Sequence, residues 1–389
     1  MSTLSESIPT PDQAQAGDTQ AGVYDPNDPG GPPPQRRFLL GAAIFIGYFV
    51  IVILVAKLAP GTVGSIGRSM LRESLSAQTA AVAIAVIGLN VHFGYTGLLN
   101  MGQAGFMMLG GYGFAISVWH GLPMVVGILF GFLAAFVFAL ILGVPTLKLR
   151  GDYLAIVTIS AAEILRYIGR LAKLEDLTGA AKGIPGSQYR EPFTDLSFFG
   201  NGTFDAGGWL PNLQATGVNG WWVRFVAWGL VALCCFIVFL LARSPWGRLL
   251  RGIREDEDAI RSLGKNVFAI KMQALVIGGL FGALAGMIYI LPSAMQADAM
   301  GRTVTFFCWT ALLLGGAATV FGPVLGAILF FALRIFVQGT SDAVVPNSIM
   351  NTAQTAQFAW ICVGVALMLL VIFRPQGILG DKRELRFNV

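Results

Sequence analysis

Apolar residues run in long blocks along this chain, and short polar segments punctuate them. Ten blocks approach the roughly 20 residues a helix needs to cross a bilayer: 38–58, 74–93, 97–118, 122–143, 153–172, 223–242, 268–291, 303–320, 322–338 and 355–373. The block 97–118 is broken by glycines and the pair 303–338 is joined by a Gly-Pro turn, so either admits a re-entrant reading. One segment departs from the pattern. Ser244 to Lys265, SPWGRLLRGIREDEDAIRSLGK, is a charged island between two apolar runs. Its apolar positions, Trp246, Leu249, Leu250, Ile253, Ile260 and Leu263, have the spacing of a helix with one apolar face. A helix resting on anionic lipid carries a mainly basic polar face. The acidic block Glu255-Asp256-Glu257-Asp258 works against that and favours a protein partner. The island therefore predicts a coupling element.

Composition fixes the class. Of 389 residues, 55% are hydrophobic and 12% charged, whereas soluble domains are about a quarter charged. The pattern predicts an all-α, polytopic transmembrane bundle of about ten spans. In such a chain the net charge of +5 speaks of topology and not of nucleic-acid binding. Residues 1–37, rich in Pro, Gly, Ser, Gln and Asp and ending in GGPPPQRR, predict a disordered cytoplasmic tail. They lack a signal-peptide layout. The membrane domain is expected over 38–380 and a second cytoplasmic tail over 381–389. Cys234, Cys235, Cys308 and Cys362 all lie in apolar runs without metal-ligand spacing, the pattern of free thiols packed as small hydrophobes.

Lys and Arg set the orientation. With the N-terminus inside and ten crossings, Lys148, Arg150, the Arg243–Lys271 coupling loop and the Arg374–Arg386 tail fall in the cytoplasm, with Arg68 and Arg72 outside as an exception. Both termini are then cytoplasmic. The same topology puts 174–222 outside, a loop carrying Trp209, Trp221 and Trp222. It reads either as a docking surface or as a cap with interfacial Trp anchors.

Within the membrane, Gly88–Ile116 concentrates glycines with the amides Asn90, Asn100 and Gln103 around Gly102. Glycines allow close packing and also allow a helix to break, which a bilayer tolerates where the freed backbone is buried in protein or lines a wet cavity. This stretch reads as a wall of a translocation path or as tight packing with satisfied amides. Gly278, Gly282 and Gly286, and Gly322 and Gly326, are spaced for helix contacts. Charges in spans are costly. Glu163 and Arg166, one turn apart, read as a structural ion pair or as polar contacts for a zwitterion; His92 reads as a satisfied polar residue. No phosphate loop, nucleophile motif or His/Cys metal cluster occurs in the sequence, so nothing supports a catalytic site, a metal or a cofactor on this chain.

Several ordered motifs carry a resemblance: GLNVHFGYTGLLNMGQAGF (88–106), LRGDYLAIVTISAAEILR (149–166), LTGAAKGIPG (177–186), the island with its continuation to Lys271, GGAATVFGPVLGA (315–327) and FRPQGILG (373–380). With them the chain resembles the inner-membrane permease of branched-chain amino acid ABC importers, LivM type, over about Ala80 to Gly380. The resemblance implies a bacterial plasma-membrane assembly with a second permease subunit, two cytoplasmic ATPase subunits that bind the ATP, and an extracytoplasmic solute-binding protein. Asp258-Ala259 to Gly264 corresponds to the Glu-Ala-Ala…Gly loop of ABC importers, with Asp and Ile in place of the usual Glu and Ala. The implied coupling contact is Ile253, Arg254, Asp258, Ala259, Ile260 and Gly264; the implied pathway is Asn90, Asn100, Gly102, Gln103, Glu163 and Arg166. Many relatives have Ser-x-Gly-His where this chain has Asn100-Met101-Gly102-Gln103. Other cargoes (urea, short amides, small polar solutes) and an ion-coupled secondary carrier are the alternatives. A secondary carrier needs its own coupling carboxylates and commonly shows repeated halves.

Overall fold

The computed structural model describes residues 34–147, 151–199, 202–204, 213–346, 350–373 and 376–380. The expectations for most of the 1–37 tail, for Lys148 and Arg150, for Trp209, for Arg374 and for 381–389 lie outside these residues. The chain is a helical bundle whose only strands among the described residues are Thr203–Phe204 and Leu213–Gln214, paired antiparallel in the loop before Trp221.

The principal helices in chain order are α1 (Pro34–Leu58), α2 (Gly61–Ser74), α3 (Ala77–Leu89, continued by a π-helical turn Asn90–Tyr95), α4 (Gln103–Trp119), α5 (Met124–Thr146) and α6 (Gly151–Gly169). They continue with α7 (Trp221–Arg243), α8 (Pro245–Glu255), α9 (Glu257–Ser262), α10 (Val267–Ile290), α11 (Arg302–Gly315), α12 (Gly322–Val344) and α13 (Thr352–Phe373). Six helical stretches among the described residues are long and apolar enough to cross a membrane: Gly41–Leu58, Ala77–Tyr95, Met124–Thr146, Trp221–Arg243, Val267–Ile290 and Gly322–Val344. Large apolar side chains on the outer faces of α5, α7 and α13, such as Leu129, Ile141, Phe225, Leu240 and Ile361, are exposed. The core, by contrast, mixes many alanines with larger side chains such as Ile84, Phe106 and Met107, the small residues letting helices approach closely.

α10 is the hub, packing on α3, α4 and α5. Its glycine stripe explains how. A Cβ at Gly286 would stand 1.8 Å from the Met107 carbonyl oxygen, and one at Gly278 2.5 Å from that of Gly88. A methyl group at either position would push helices apart. Gly326 serves the α11–α12 hairpin in the same way, 1.9 Å from the Ala311 oxygen.

Two regions depart from the expected blocks. A helix at 61–74, not expected from hydropathy, folds back on α1, with Gly64 and Gly67 closing onto the backbone of Ala59 and Ala56. The 97–118 block is not one helix: 97–102 is irregular and α4 starts at Gln103.

The bundle has two distinct ends. At one, the island lies against the C-terminal end of α3, with the turn before α12 (Thr319 bonded to Asn90), the start of α1 (Gly41 against Leu379) and residues 376–380 gathered there. At the other lie the loop after α6, the start of α7 and the segment 291–302. There Tyr189 is fully buried, its hydroxyl 2.9 and 2.8 Å from the carbonyls of Ile290 and Ser293, and Ile184 bridges to Met295. Burial pushes the Tyr189 phenol above its ordinary value. Trp222 is buried and donates to Phe193 O at 2.8 Å. The described part of this loop is thus a folded cap.

Candidate functional site

The charged island is two helices, where the apolar spacing suggested one. Three caps punctuate it. Ser244 accepts from Gly247 N ahead of α8, Asp256 accepts from Asp258 N and Ala259 N ahead of α9, and Asn266 accepts from Ala269 N ahead of α10. Gly264, with φ of +73°, turns the chain out of α9. Asp256 in extended geometry followed by two acids is an N-cap with a favourable first turn, a signal legible in EDEDA that apolar spacing overlooks.

The acids accordingly have internal work. Glu257 pairs with Lys271 and, at 3.0 Å, with Arg261; Asp258 pairs with Arg261 at 2.9 Å. α9 folds back on α8, so Ile260 covers Gly252. Ile253 is 4% exposed and supports the island from beneath. The outward surface is Asp258, Ala259, Leu263 and Gly264, with Leu263 72% exposed.

Arg254 points the other way, into the bundle. It donates through Nη1 to the carbonyl oxygen of Gly94, in the π-turn that ends α3. Gly97, with φ of +77°, lies directly beneath it: a Cβ there would be 3.1 Å from Arg254 Cγ. Gly94 is equally constrained, since a Cβ would stand 2.1 Å from Asn90 Oδ1 and 2.5 Å from Ala318 N. The island thus holds the break in α3 through one charged side chain, at a spot that excludes side chains.

On the inner side of that break two of the three expected amides, Asn100 and Gln103, meet, while Asn90 binds the turn before α12. Asn90, His92, Asn100 and Gln103 are all fully buried. Asn90 donates to Thr319 O and accepts from Ala318 N, both at 2.8 Å. His92 Nε2 lies 3.0 Å from Leu275 O, which makes Nε2 the protonated nitrogen and Nδ1 an acceptor. Asn100 Nδ2 fills that acceptor at 3.0 Å and gives its second proton to Gln103 Oε1 at 3.0 Å, while its Oδ1 accepts from Gly102 N at 2.8 Å. Gln103 Nε2 donates to Ala85 O and Gly278 O. Every side-chain nitrogen and oxygen of the four residues has a partner. The start of α4 is stitched to its neighbours as well. Met101 N and Ala104 N donate to the hydroxyls of Thr158 and Thr305, each at 3.0 Å, and Trp309 Nε1 donates to Asn100 O. The unpaired donors of a helix start inside the membrane are thereby satisfied by protein. In this conformation none of Asn90, Asn100, Gly102 and Gln103 presents a surface to solvent.

Glu163 and Arg166 lie at the opposite end. Arg166 binds Glu163 Oε2 through Nε at 2.9 Å and Asp298 through Nη1 at 2.6 Å, and Glu163 Oε1 accepts from Arg302 N at the start of α11. The pair ties α6 to the segment before α11. The structure therefore brings Arg254 to the helix break and Asn100 to Gln103, sends Asn90 to the turn before α12, and keeps Glu163 and Arg166 apart from all of these. His92, Gly94, Gly97, Thr158, Thr305 and the Glu257–Lys271 pair complete the site; glycine and hydroxyl residues in a membrane stretch give only a weak sequence signal.

Comparison with known proteins comes last. Residues 71–373 match the family described as branched-chain amino acid transport system, permease component. The chain is 32% identical over 320 residues to the high-affinity branched-chain amino acid transport system permease protein LivM of Salmonella typhimurium, covering 79% of this chain and 70% of that one. With the Escherichia coli protein of the same description it shares 31% over 355 residues, 88% of this chain and 77% of its relative. The probable LivM permease of Methanocaldococcus jannaschii is 25% identical, over 77% of this chain and 90% of the relative.

Proposed function

The chain belongs to the family of permease components of branched-chain amino acid transport systems, and from that membership we propose that it moves aliphatic amino acids inward across a bacterial plasma membrane. It is a multi-pass membrane protein and a translocation subunit of the ABC type. Our reading of the assembly is a second permease subunit beside it, two ATPase subunits that bind and hydrolyse the ATP, and a solute-binding protein at the outer face. The chain itself needs no cofactor in this reading. The island end is the cytoplasmic one, with both termini on that side, and the cap of 174–222 faces outward.

The observation that carries the mechanism is the hydrogen bond from Arg254 to Gly94. Asp258, Ala259, Leu263 and Gly264 present the surface that an ATPase would hold, while Ile253, Arg254 and Ile260 transmit its displacement into the bundle. Arg254 then moves the Gly94–Tyr95 end of the π-turn about Gly97, whose backbone conformation few other residues adopt. Asn90, Asn100, Gly102 and Gln103 hold the inner side of the break still, so displacement becomes rotation of the α3 terminus and not loosening of the core. Glu163 and Arg166 brace the outer end of the same path. For this to be coupling, the island must interact differently with the two nucleotide states of the ATPase.

The test is isolation of the tagged chain in mild detergent followed by uptake in vesicles. ATPase subunits co-purifying, and ATP-dependent leucine uptake that needs the binding protein, are the expected result. A chain recovered alone that transports on an ion gradient contradicts it.

A further inference from the structure

Between the island and the helix break lies a cavity of about 240 Å3. It far exceeds the roughly 10–15 Å3 that one water needs and falls short of the roughly 300–1,000 Å3 of drug-sized pockets. Its size suits a small metabolite. One wall is aliphatic, formed by Leu98, Leu147 and Leu154. The lining also carries Arg254, Glu257 and Lys271.

The charges in the lining are not equivalent. Glu257 is already engaged by Lys271 and Arg261, so it has little to offer a further cation. Arg254 makes no ion pair among the described residues, its hydrogen-bond partner there being a carbonyl oxygen. A guanidinium has five N–H donors and favours a carboxylate in bidentate geometry. The lining thus combines an unmatched positive charge with three leucine side chains. We propose that this cavity is a binding site for a small carboxylate with a short aliphatic body, entering from the island end. The cargo itself and the 2-oxo acid left when it is deaminated share that chemistry.

The position of the site gives it a consequence. Its lining joins the island to the α3–α4 connection, the end of α5, the start of α6 and α10, so any swing of the island reshapes it. A ligand that fits the present arrangement stabilises it by the factor 1 + [L]/Kd and slows the cycle that must leave it. The site is a product sensor that restrains import when its ligand accumulates. This rests on the importer reading above, which supplies the side from which the ligand comes.

The experiment uses the full co-purified assembly in vesicles, with ATP and the test compound in the lumen and labelled leucine plus binding protein outside. L-leucine, 4-methyl-2-oxopentanoate and L-leucinamide are the lumenal probes. At about ten times its dissociation constant a lumenal carboxylate slows initial uptake about tenfold, and leucinamide, which lacks the carboxylate, does not. Slowing by leucine alone assigns the ligand to the cargo; slowing by the oxo acid alone assigns it to the deaminated product. Leu154→Phe, which fills the aliphatic wall, weakens the inhibition while uptake continues. Calorimetric titration of the wild-type assembly with each probe gives a readout independent of that variant. Vigorous uptake indifferent to all three probes overturns the sensor and leaves the importer standing. Absence of uptake for every aliphatic amino acid overturns the importer reading itself.

Discussion

The amide cluster and the charged island grip the same break in α3 and are built in opposite ways. Asn90, His92, Asn100 and Gln103 are neutral, fully buried and paired at every polar side-chain atom. The island is charged and largely exposed, and it reaches the break through Arg254. A saturated buried network rigidifies what it joins, because any displacement strands a polar group in a low-dielectric interior. A single charged hydrogen bond from a half-exposed element can tilt or slide at little cost. One side of the break is an anchor and the other a handle.

Breaking the anchor has the largest expected effect. Asn100→Ala strands His92 Nδ1, Gln103 Oε1 and Gly102 N, at about 1–3 kcal/mol each, so about 3 kcal/mol or more is lost. The expected outcome is little folded protein in detergent and a clear drop in thermal midpoint; a wild-type midpoint would mean the amides are not an anchor. Gly94→Ala attacks the point that Arg254 grips. Its Cβ meets Asn90 Oδ1 and Ala318 N, for about 1–3 kcal/mol by overpacking. Uptake should fall more than yield, measured side by side. On the handle, Asp258→Ala with Gly264→Ala should cost about 1–2 kcal/mol in stability, mostly from the positive φ at Gly264. It should nevertheless separate ATP hydrolysis from uptake. Unchanged coupled uptake would remove that surface from the mechanism. The smallest effect is expected from Glu163→Gln, remote from both grips. Arg166 keeps Asp298, so about 1 kcal/mol or less is lost, with cargo preference unchanged in competition uptake. A changed preference would move Glu163 into the path.

What was legible in the sequence follows from this contrast. Six of the ten apolar blocks coincide with described helices long and apolar enough to span, because crossing a bilayer demands length and hydropathy in one contiguous stretch; a count of about ten is not reached among the described residues. The helix 61–74 was missed: GTVGSIGRSMLRES is too polar for a span, and its stability comes from Gly64 and Gly67 closing on α1. The island was visible as charge, and its division at Asp256 was written in the cap residues that apolar spacing does not weigh. The three amides stood out, but the sequence left open whether they lined a path or were satisfied by neighbouring helices. That answer needed His92, eight residues from Asn100, and the carbonyls of Leu275 and Gly278 on a helix far along the chain. Arg254 was marked as a coupling residue; that it faces the bundle and not the partner is a fact of tertiary structure alone.

The central claim is that Arg254 links the island to the break. The most direct measurement is the ratio of leucine uptake to ATP hydrolysis in the reconstituted assembly carrying Arg254→Met, which keeps the length of the side chain and removes its donors. Hydrolysis that continues while uptake falls about tenfold, equivalent to about 1.4 kcal/mol, is the predicted result. Uptake and hydrolysis both at wild-type levels, or both lost in equal proportion, would contradict it.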